Sequence, residues 1–460
     1  MARRFGPHTL TRLLYSWVMW LAQPFMRARL MRRGVQEPGY LVAMEERLGH
    51  YAQANAPSTG YLWIHAVSLG ETRAAAILIA SLRERFPDIR LLLTHGTATG
   101  HAEGKKLLRA GDVQAWQPWD TPVAVRRFLL HFKPSLGILI ETEVWPNLSA
   151  MCQRMAVPLV LANARLSEKS LLTSLRLAWL ARPAYKTLTA VWAQTGADAA
   201  RLSKLGANVQ GVFGNVKFDA TPDAAQLAQG QRWRSRQSRP VVLFAISREG
   251  EEAMLLDGLN HRLQDAMKSD RVNQPPGAAE AAAAIQWLIV PRHPQRFDEV
   301  AALIVSKGFG VSRRSAWRDG PDQVADPARP VIWLGDSLGE MALYYGMADA
   351  ALLGGSFAKL GGQNLIEAAA CGCPIVMGPY TYNFSQAAEL AEAAGAAKRV
   401  VDMAQGLQVV SEAVQDTETI QIARDNTKRF ATAHRGAAGK LTTAIGNLLA
   451  KLPAGRPTWV

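Results

Sequence analysis

The chain has only three cysteines in 460 residues, Cys152, Cys371 and Cys373. That excludes a disulfide framework, and Cys371-Gly-Cys373 lacks the two-residue spacing of common zinc and thioredoxin motifs. Small buried residues at a tight turn, in a reducing compartment, are the expectation for that pair. The nine histidines include no pair at metal-ligand spacing on one helix, and neither Asp-x-Asp nor His-Glu-x-x-His occurs. No metal and no cofactor are therefore expected. GxGxxG and GxxxxGK[ST] are also missing, which counts against dinucleotide redox chemistry and P-loop hydrolysis. Long apolar runs are absent too. The richest, LLYSWVMWLAQPFM at 13 to 26, is shorter than the ~20 residues of a spanning helix and is interrupted by Pro24.

What that run does have is arginine on both sides: Arg3, Arg4 and Arg12 before it, Arg27, Arg29, Arg32 and Arg33 after it. With no small-residue cleavage site nearby, this pattern predicts an anchor over residues 1–35 lying in a cytoplasmic leaflet, and not a secretory signal. A core helix of the first domain is the alternative. Over the whole chain Lys and Arg exceed Asp and Glu by 52 to 38, a formal charge of +14. An anionic partner follows, whether nucleic acid, anionic lipid or a phosphorylated substrate.

The length allows two domains, and short apolar runs alternate with helical patterns through both halves. YLWIHAV, IRLLLTH, SLGILIE, VPLVLAN and TAVWAQ come first. After the Arg-rich stretch at 230 to 240 come VVLFAIS, QWLIVP, PVIWLGD, ADAALLGG and CPIVMG. Runs of this kind are parallel strands with crossover helices. They predict two Rossmann-like domains, 36–225 and 226–460, with a surface insertion at 268 to 284. Nearly every unusual polar cluster directly follows one of these strands, at the carboxyl ends where ligands bind in open α/β sheets.

Glu71 lies just inside a helix start behind Gly70, where it suits either a general base or a helix N-terminal carboxylate stabilised by the dipole. Glu141 and Glu143 follow a strand and, by alternation, share a face. Their repulsion should raise one pKa unless a cation is near, and one of them could orient Arg165 or Lys217. The second half looks suited to a nucleotide. Gly354, Gly355, Gly361 and Gly362 offer free backbone N–H groups, Gln363 and Asn364 sit at an N-cap, and Glu367 can take ribose hydroxyls. Arg292 and His293 suit phosphate or base recognition, and Gly339 with Glu340 opens another helix.

In this order, SLGET, ETEVWPNL, ANARLS, GNVKFD, PRHPQRF, GDSLGEM, GGSF, GGQNLIEAAACG and MGPYTYNF resemble the motifs of the 3-deoxy-D-manno-octulosonic acid (Kdo) transferases of lipopolysaccharide synthesis. The resemblance runs from the N-terminal segment to about residue 440. It implies an α/β fold of GT-B type, with two Rossmann-like domains facing across a cleft and an N-terminal anchor helix at the cytoplasmic face of the inner membrane. It implies transfer of Kdo from CMP-Kdo to a lipid A precursor, lipid IVA, with inversion and without a metal. Its residue roles fall on Glu71 as proton acceptor and on Glu141 and Lys217 as transition-state stabilisers. Pro291, Arg292, Leu338, Gly339, Glu340, Asn364, Leu365, Ile366 and Glu367 would bind CMP.

Two positions depart from the family pattern: Gln363 stands where a His is common, and THGTATG lacks a proline. The implied partners are the lipid A precursor, inner-membrane anionic lipids and CMP-Kdo, with no nucleic acid and no obligate protein partner. Another GT-B nucleotide-sugar enzyme, such as an epimerase, is the nearest rival. A membrane-associated RNA-binding protein is a second, though no RNP or KH motif or basic-aromatic stripe supports it.

Overall fold

In a computed structural model of the chain, residues 7–52, 60–269, 285–321 and 330–452 are described. They fall into two units, one running to Asp219 and resuming at Arg435, the other Ala220–His434. The first unit holds a parallel sheet of β1 (Leu62–His65), β2 (Leu91–His95), β3 (Val113–Trp116), β4 (Leu136–Ile140), β5 (Leu159–Ala164), β6 (Ala190–Ala193) and β7 (Val209–Val212). Their order is β3-β2-β1-β4-β5-β6-β7. The second unit holds β8 (Val241–Ser247), β9 (Gln286–Pro291), β10 (Gly310–Arg313), β11 (Val331–Leu334), β12 (Ala350–Leu353), β13 (Ile375–Met377) and β14 (Ala397–Arg399). There the order is β10-β11-β9-β8-β12-β13-β14. The chain direction across each sheet reverses next to its first strand, between β1 and β4 and between β8 and β12. In sheets of this kind a ligand crevice opens at that point.

Central strands are buried on both faces. In β1, Trp63 enters one core layer with Phe128 and Leu139, while Leu62 and Ile64 enter the other with Leu78 and Ile138. This two-residue alternation turns one apolar run into two cores, each buried side chain contributing roughly 1.5–3 kcal/mol.

Three expectations need correction. The sequence reading assigned 226–460 to the second domain, but the helix Ala437–Leu449 buries Leu441, Ile445 and Leu449 in the first unit's core with β1 and β4. Polar composition marks an exposed stretch, and it does not reveal which core the following helix completes. Pro24 does not interrupt the N-terminal helix, which runs Pro7–Gln36. An internal proline removes a single backbone bond, and packing on one side of the helix holds the rest. The four edge strands β3, β7, β10 and β14 went unread. The 268–284 insertion lies, from residue 270, outside the described residues.

The helix Pro7–Gln36 packs on the helices Pro146–Arg154 and Ala178–Lys186. Its Ser16 hydroxyl donates to Asn147 Oδ1 at 3.0 Å, and Tyr15 hydrogen-bonds Asp120. Asp120 accepts from the Asn147 and Leu148 amides at 3.0 and 2.7 Å, so it caps a helix whose N-cap, Trp145, makes no side-chain cap bond. Leu14, Trp17, Leu21 and Phe25 all remain exposed along the helix. Among the described residues no helix is long and apolar enough to cross a membrane.

Candidate active site

In the first unit, β1 gives way to a short loop, and the helix Leu69–Arg85 starts one residue before Gly70, with Ser68 as N-cap. Glu71 is its third residue. Its Oε2 accepts from the Val67 amide at 2.7 Å and its Oε1 from the Ser68 hydroxyl at 3.1 Å, while its own amide donates back to Ser68 Oγ at 3.4 Å. This is a reciprocal cap of the S-x-x-E kind. Burial pushes the Glu71 carboxyl up to about 7; the Val67 amide opposes that, and the charges of Glu141 and Glu143 add to it. The geometry is that of the helix N-terminal carboxylate, and the raised pKa is compatible with the other reading, a general base. The cap fixes the carboxylate, and the burial keeps it basic at neutral pH.

The loop before Glu71 is pinned from β2. Gly96 and Thr97 amides donate to the Val67 carbonyl at 3.1 and 3.0 Å, and His95 Nδ1 lies 2.9 Å from the Ala66 carbonyl. Burial holds the His95 pKa down to about 4, so the ring is neutral at pH 7.

Strand alternation does not place Glu141. β4 ends at Ile140, and Glu141 adopts the left-handed conformation with φ 64°, which is costly for a residue with a Cβ. The turn is held at both ends: the Glu141 amide donates to the Ala162 carbonyl and its carbonyl accepts from the Arg165 amide, each at 3.1 Å. Its Oε1 accepts from Lys217 Nζ at 2.8 Å, so the cation is Lys217, while the Arg165 side chain is exposed. Burial also raises the Glu143 pKa.

Lys217 rides on the turn Val216–Asp219. Asn163 Oδ1 accepts the Val216 amide at 3.1 Å, Asn215 Oδ1 accepts the Lys217 amide at 3.0 Å, and Asp219 accepts from the Gly436 and Ala438 amides. Asn163 is itself left-handed, with φ 52°, a conformation asparagine tolerates better than most residues. ANARLS and GNVKFD carry no local sign of a task for Asn163 or Asp219. An asparagine near the end of β5 and an aspartate after β7 are the available signal; their partners are far away in the chain.

The second unit collects the expected nucleotide residues along one rim. Pro291 and Arg292 end β9, Leu338 to Glu340 follow β11, and Asn364 to Glu367 follow the loop after β12. Asn364 is the N-cap of the helix Leu365–Ala370; its Oδ1 accepts the Ile366 amide at 3.1 Å and its Nδ2 donates to Glu367 Oε1 at 3.0 Å. Glu340 is paired with Arg314 at 2.8 Å and bonded to Ser337, whereas Leu338 is 72% exposed.

The glycine loop differs from expectation. Glu251, wholly buried at the switch between β8 and β12, accepts the amides of Gly355, Phe357 and Ala358 at 2.7, 3.0 and 3.2 Å. Those N–H groups are therefore not free for an anion, and the available helix start lies at Gln363 to Glu367. A side chain at Gly354 would put its Cβ 2.2 Å from the Ile246 carbonyl oxygen, so glycine is required where this loop crosses β8. Among the described residues no group of three or more His, Cys, Asp or Glu could hold a metal ion.

Comparison with known proteins agrees with this arrangement. Residues 43–220 match the family described as 3-deoxy-D-manno-octulosonic-acid transferase (kdotransferase). A 3-deoxy-D-manno-octulosonic acid transferase of Bordetella pertussis is 41% identical over 449 residues, covering 96% of this chain and 99% of that protein. One of Haemophilus influenzae is 31% identical, covering 82% and 84%. Among solved structures, Neisseria meningitidis UDP-GlcNAc 2-epimerase bound to UDP-GlcNAc aligns with a TM-score of 0.51 at 13% identity, over 85% of this chain and all of that one. Anabaena HepE in complex with UDP aligns with the same TM-score at 16% identity, over the same 85% of this chain and all of that one. These two likenesses are to the fold, the GT-B type expected from the sequence. The identity and coverage of the first two relatives decide between the transferase and its rivals: the chain belongs to the Kdo transferase family of glycosyltransferases.

Proposed function

We propose that the protein moves Kdo from CMP-Kdo to the lipid A precursor lipid IVA, with inversion at the anomeric carbon and without a metal. The observation that supports this reading best is Glu71, a capped and half-buried carboxylate with a pKa of about 7 beside Glu141 and Glu143. Glu71 takes the proton from the acceptor hydroxyl. The freed oxygen attacks the anomeric carbon of Kdo as the bond from that carbon to the phosphate oxygen breaks, and CMP leaves with the electron pair. One base and no covalent sugar intermediate are what a single inverting displacement needs.

Lys217, oriented by Glu141, is a cation suited to the Kdo carboxylate and to charge developing in the transition state. In the second unit, Pro291, Arg292, Leu338 to Glu340 and the helix start at Asn364 to Glu367 hold CMP. The +14 charge and the exposed apolar face of the helix Pro7–Gln36 suit an anionic glycolipid at the cytoplasmic face of the inner membrane.

The test is incubation of purified protein with CMP-Kdo generated in situ and lipid IVA, with EDTA present, followed by mass analysis of the lipid. A gain of one or more Kdo masses, lost in Glu71→Ala while that variant still binds CMP, is the expected result. No gain with CMP-binding wild type would overturn the proposed acceptor or donor.

A further inference from the structure

The first unit carries a concave site lined by none of the residues assigned above to the transfer. It is a cavity of about 630 Å³ where the helices Pro146–Arg154 and Ala178–Lys186 meet the N-terminal helix. Arg12, Arg182 and Lys186 line it together with Gln153, Trp179 and Pro183, and no carboxylate does. None of the three cations has an ion-pair partner among the described residues. Three like charges around one cavity repel one another, and an anion seated among them removes that repulsion. Arg12 lies on the same helix as the exposed Leu14, Trp17, Leu21 and Phe25, and Trp179 in the cavity wall is 41% exposed. A helix whose outer face is apolar dips to the boundary between headgroups and acyl chains, and tryptophan favours that depth.

We propose that this cavity seats the phosphate of an anionic phospholipid headgroup of the bilayer in which the N-terminal helix lies. Arg12 closes the site from the membrane-facing helix, while Arg182 and Lys186 hold the phosphate from the body of the unit. The lipid then acts as a pin between helix and domain. The inference rests on the membrane association proposed above and adds to it a headgroup preference at a defined place.

Full-length protein is floated with phosphatidylcholine vesicles and with vesicles containing one part phosphatidylglycerol in four. The variants are Arg12→Ser/Arg182→Ser/Lys186→Ser, a control of equal charge loss, Arg29→Ser/Arg32→Ser/Arg33→Ser, and Arg182→Gln alone. CMP binding verifies folding in each. Wild type is expected to prefer the anionic vesicles by at least ~10-fold, on the scale of three cations each held near an anionic surface. The cavity variant is expected to lose that preference while keeping its binding to phosphatidylcholine, the control to keep most of it, and Arg182→Gln to fall between. Equal losses in the cavity variant and the control mean diffuse attraction and overturn the site, as does an undiminished preference in the cavity variant. Wild type binding both vesicles alike overturns the site and leaves membrane association standing, whereas binding to neither overturns membrane association itself.

Discussion

Lys217 donates to Glu141 at 2.8 Å although the two residues are 76 positions apart in the chain, and a single segment, Ala162 to Arg165, holds both. Ala162 and Arg165 grip the backbone of Glu141, and Asn163 between them grips the turn that carries Lys217 through the Val216 amide at 3.1 Å. Two left-handed residues lie at the ends of adjacent strands: Glu141 just past β4 and Asn163 one residue before the end of β5. Non-glycine residues persist in that region only where surrounding bonds over-determine them, and here the bonds do so at the ion pair. These bonds thus fix a carboxylate and an ammonium in one place.

Asn163 should therefore act as a positioning residue. Asn163→Ala is expected to lower kcat by about 10–100-fold with little change in KM for CMP-Kdo, the scale of misplacing a reacting group by about an ångström. Asn163→Gly tolerates the backbone and lacks the acceptor, so it should be as slow as alanine. Asn163→Asp keeps an acceptor oxygen and should recover part of the rate. A glycine variant at wild-type speed would leave only a backbone role.

The pH profile tests Glu71. A base must be ionised, so kcat/KM is expected to rise with pH through about 7 and to level off above it. Glu143→Gln removes one of the charges that raise this pKa, and the rising limb should move to lower pH. Stability runs the other way. The folded pKa lies above the unfolded value, so the contribution of Glu71 is complete at acid pH, below the unfolded pKa, and is lost as pH rises through about 7. Urea melts should show Glu71→Gln gaining on wild type by about 1–3 kcal/mol between pH 5 and pH 8. A constant gap across that range would contradict the raised pKa.

Glu251 organises the second unit's loop by accepting three of its backbone amides. Glu251→Ala leaves the amides of Gly355, Phe357 and Ala358 without an acceptor in a buried place, at about 1–3 kcal/mol for each group left unpaired. Calorimetry is expected to show CMP affinity reduced at least ~10-fold as the loop before Asn364 loosens. Glu251→Gln should help little, because its amide nitrogen faces donors. Unchanged CMP affinity in the alanine variant would separate this loop from the nucleotide site.

The sequence shows the central strands clearly, and physics explains why it hides the others. Strands in the middle of a parallel sheet are covered on both faces and appear as apolar runs, as in LGILI of β4 and VVLFAIS of β8. All four of the hidden strands are sheet edges, β3, β7, β10 and β14, and each includes half-buried or exposed residues, as in VQGV of β7. The residues proposed for the site stand out in the sequence where polar clusters follow strands, as at Glu71, Glu141 and Lys217. Asn163, Asp219 and Glu251 do not, because their work is to hold backbone elsewhere in the chain, and no local pattern names that partner.

The C-terminal helix gives the sharpest test of the corrected boundary. Ile445 is fully buried in the first unit's core, so Ile445→Ala is expected to cost about 2–5 kcal/mol there and to leave CMP binding by the second unit intact. The effect should reach the chemistry as well, since Asp219, two residues beyond Lys217, is anchored by the amides of Gly436 and Ala438 at this helix's start. A chain ending at His434 removes that anchor together with Leu441, Ile445 and Leu449, and should bind CMP without transferring Kdo. If residues up to 460 completed the second unit instead, as composition alone suggests, the same truncation would abolish CMP binding first.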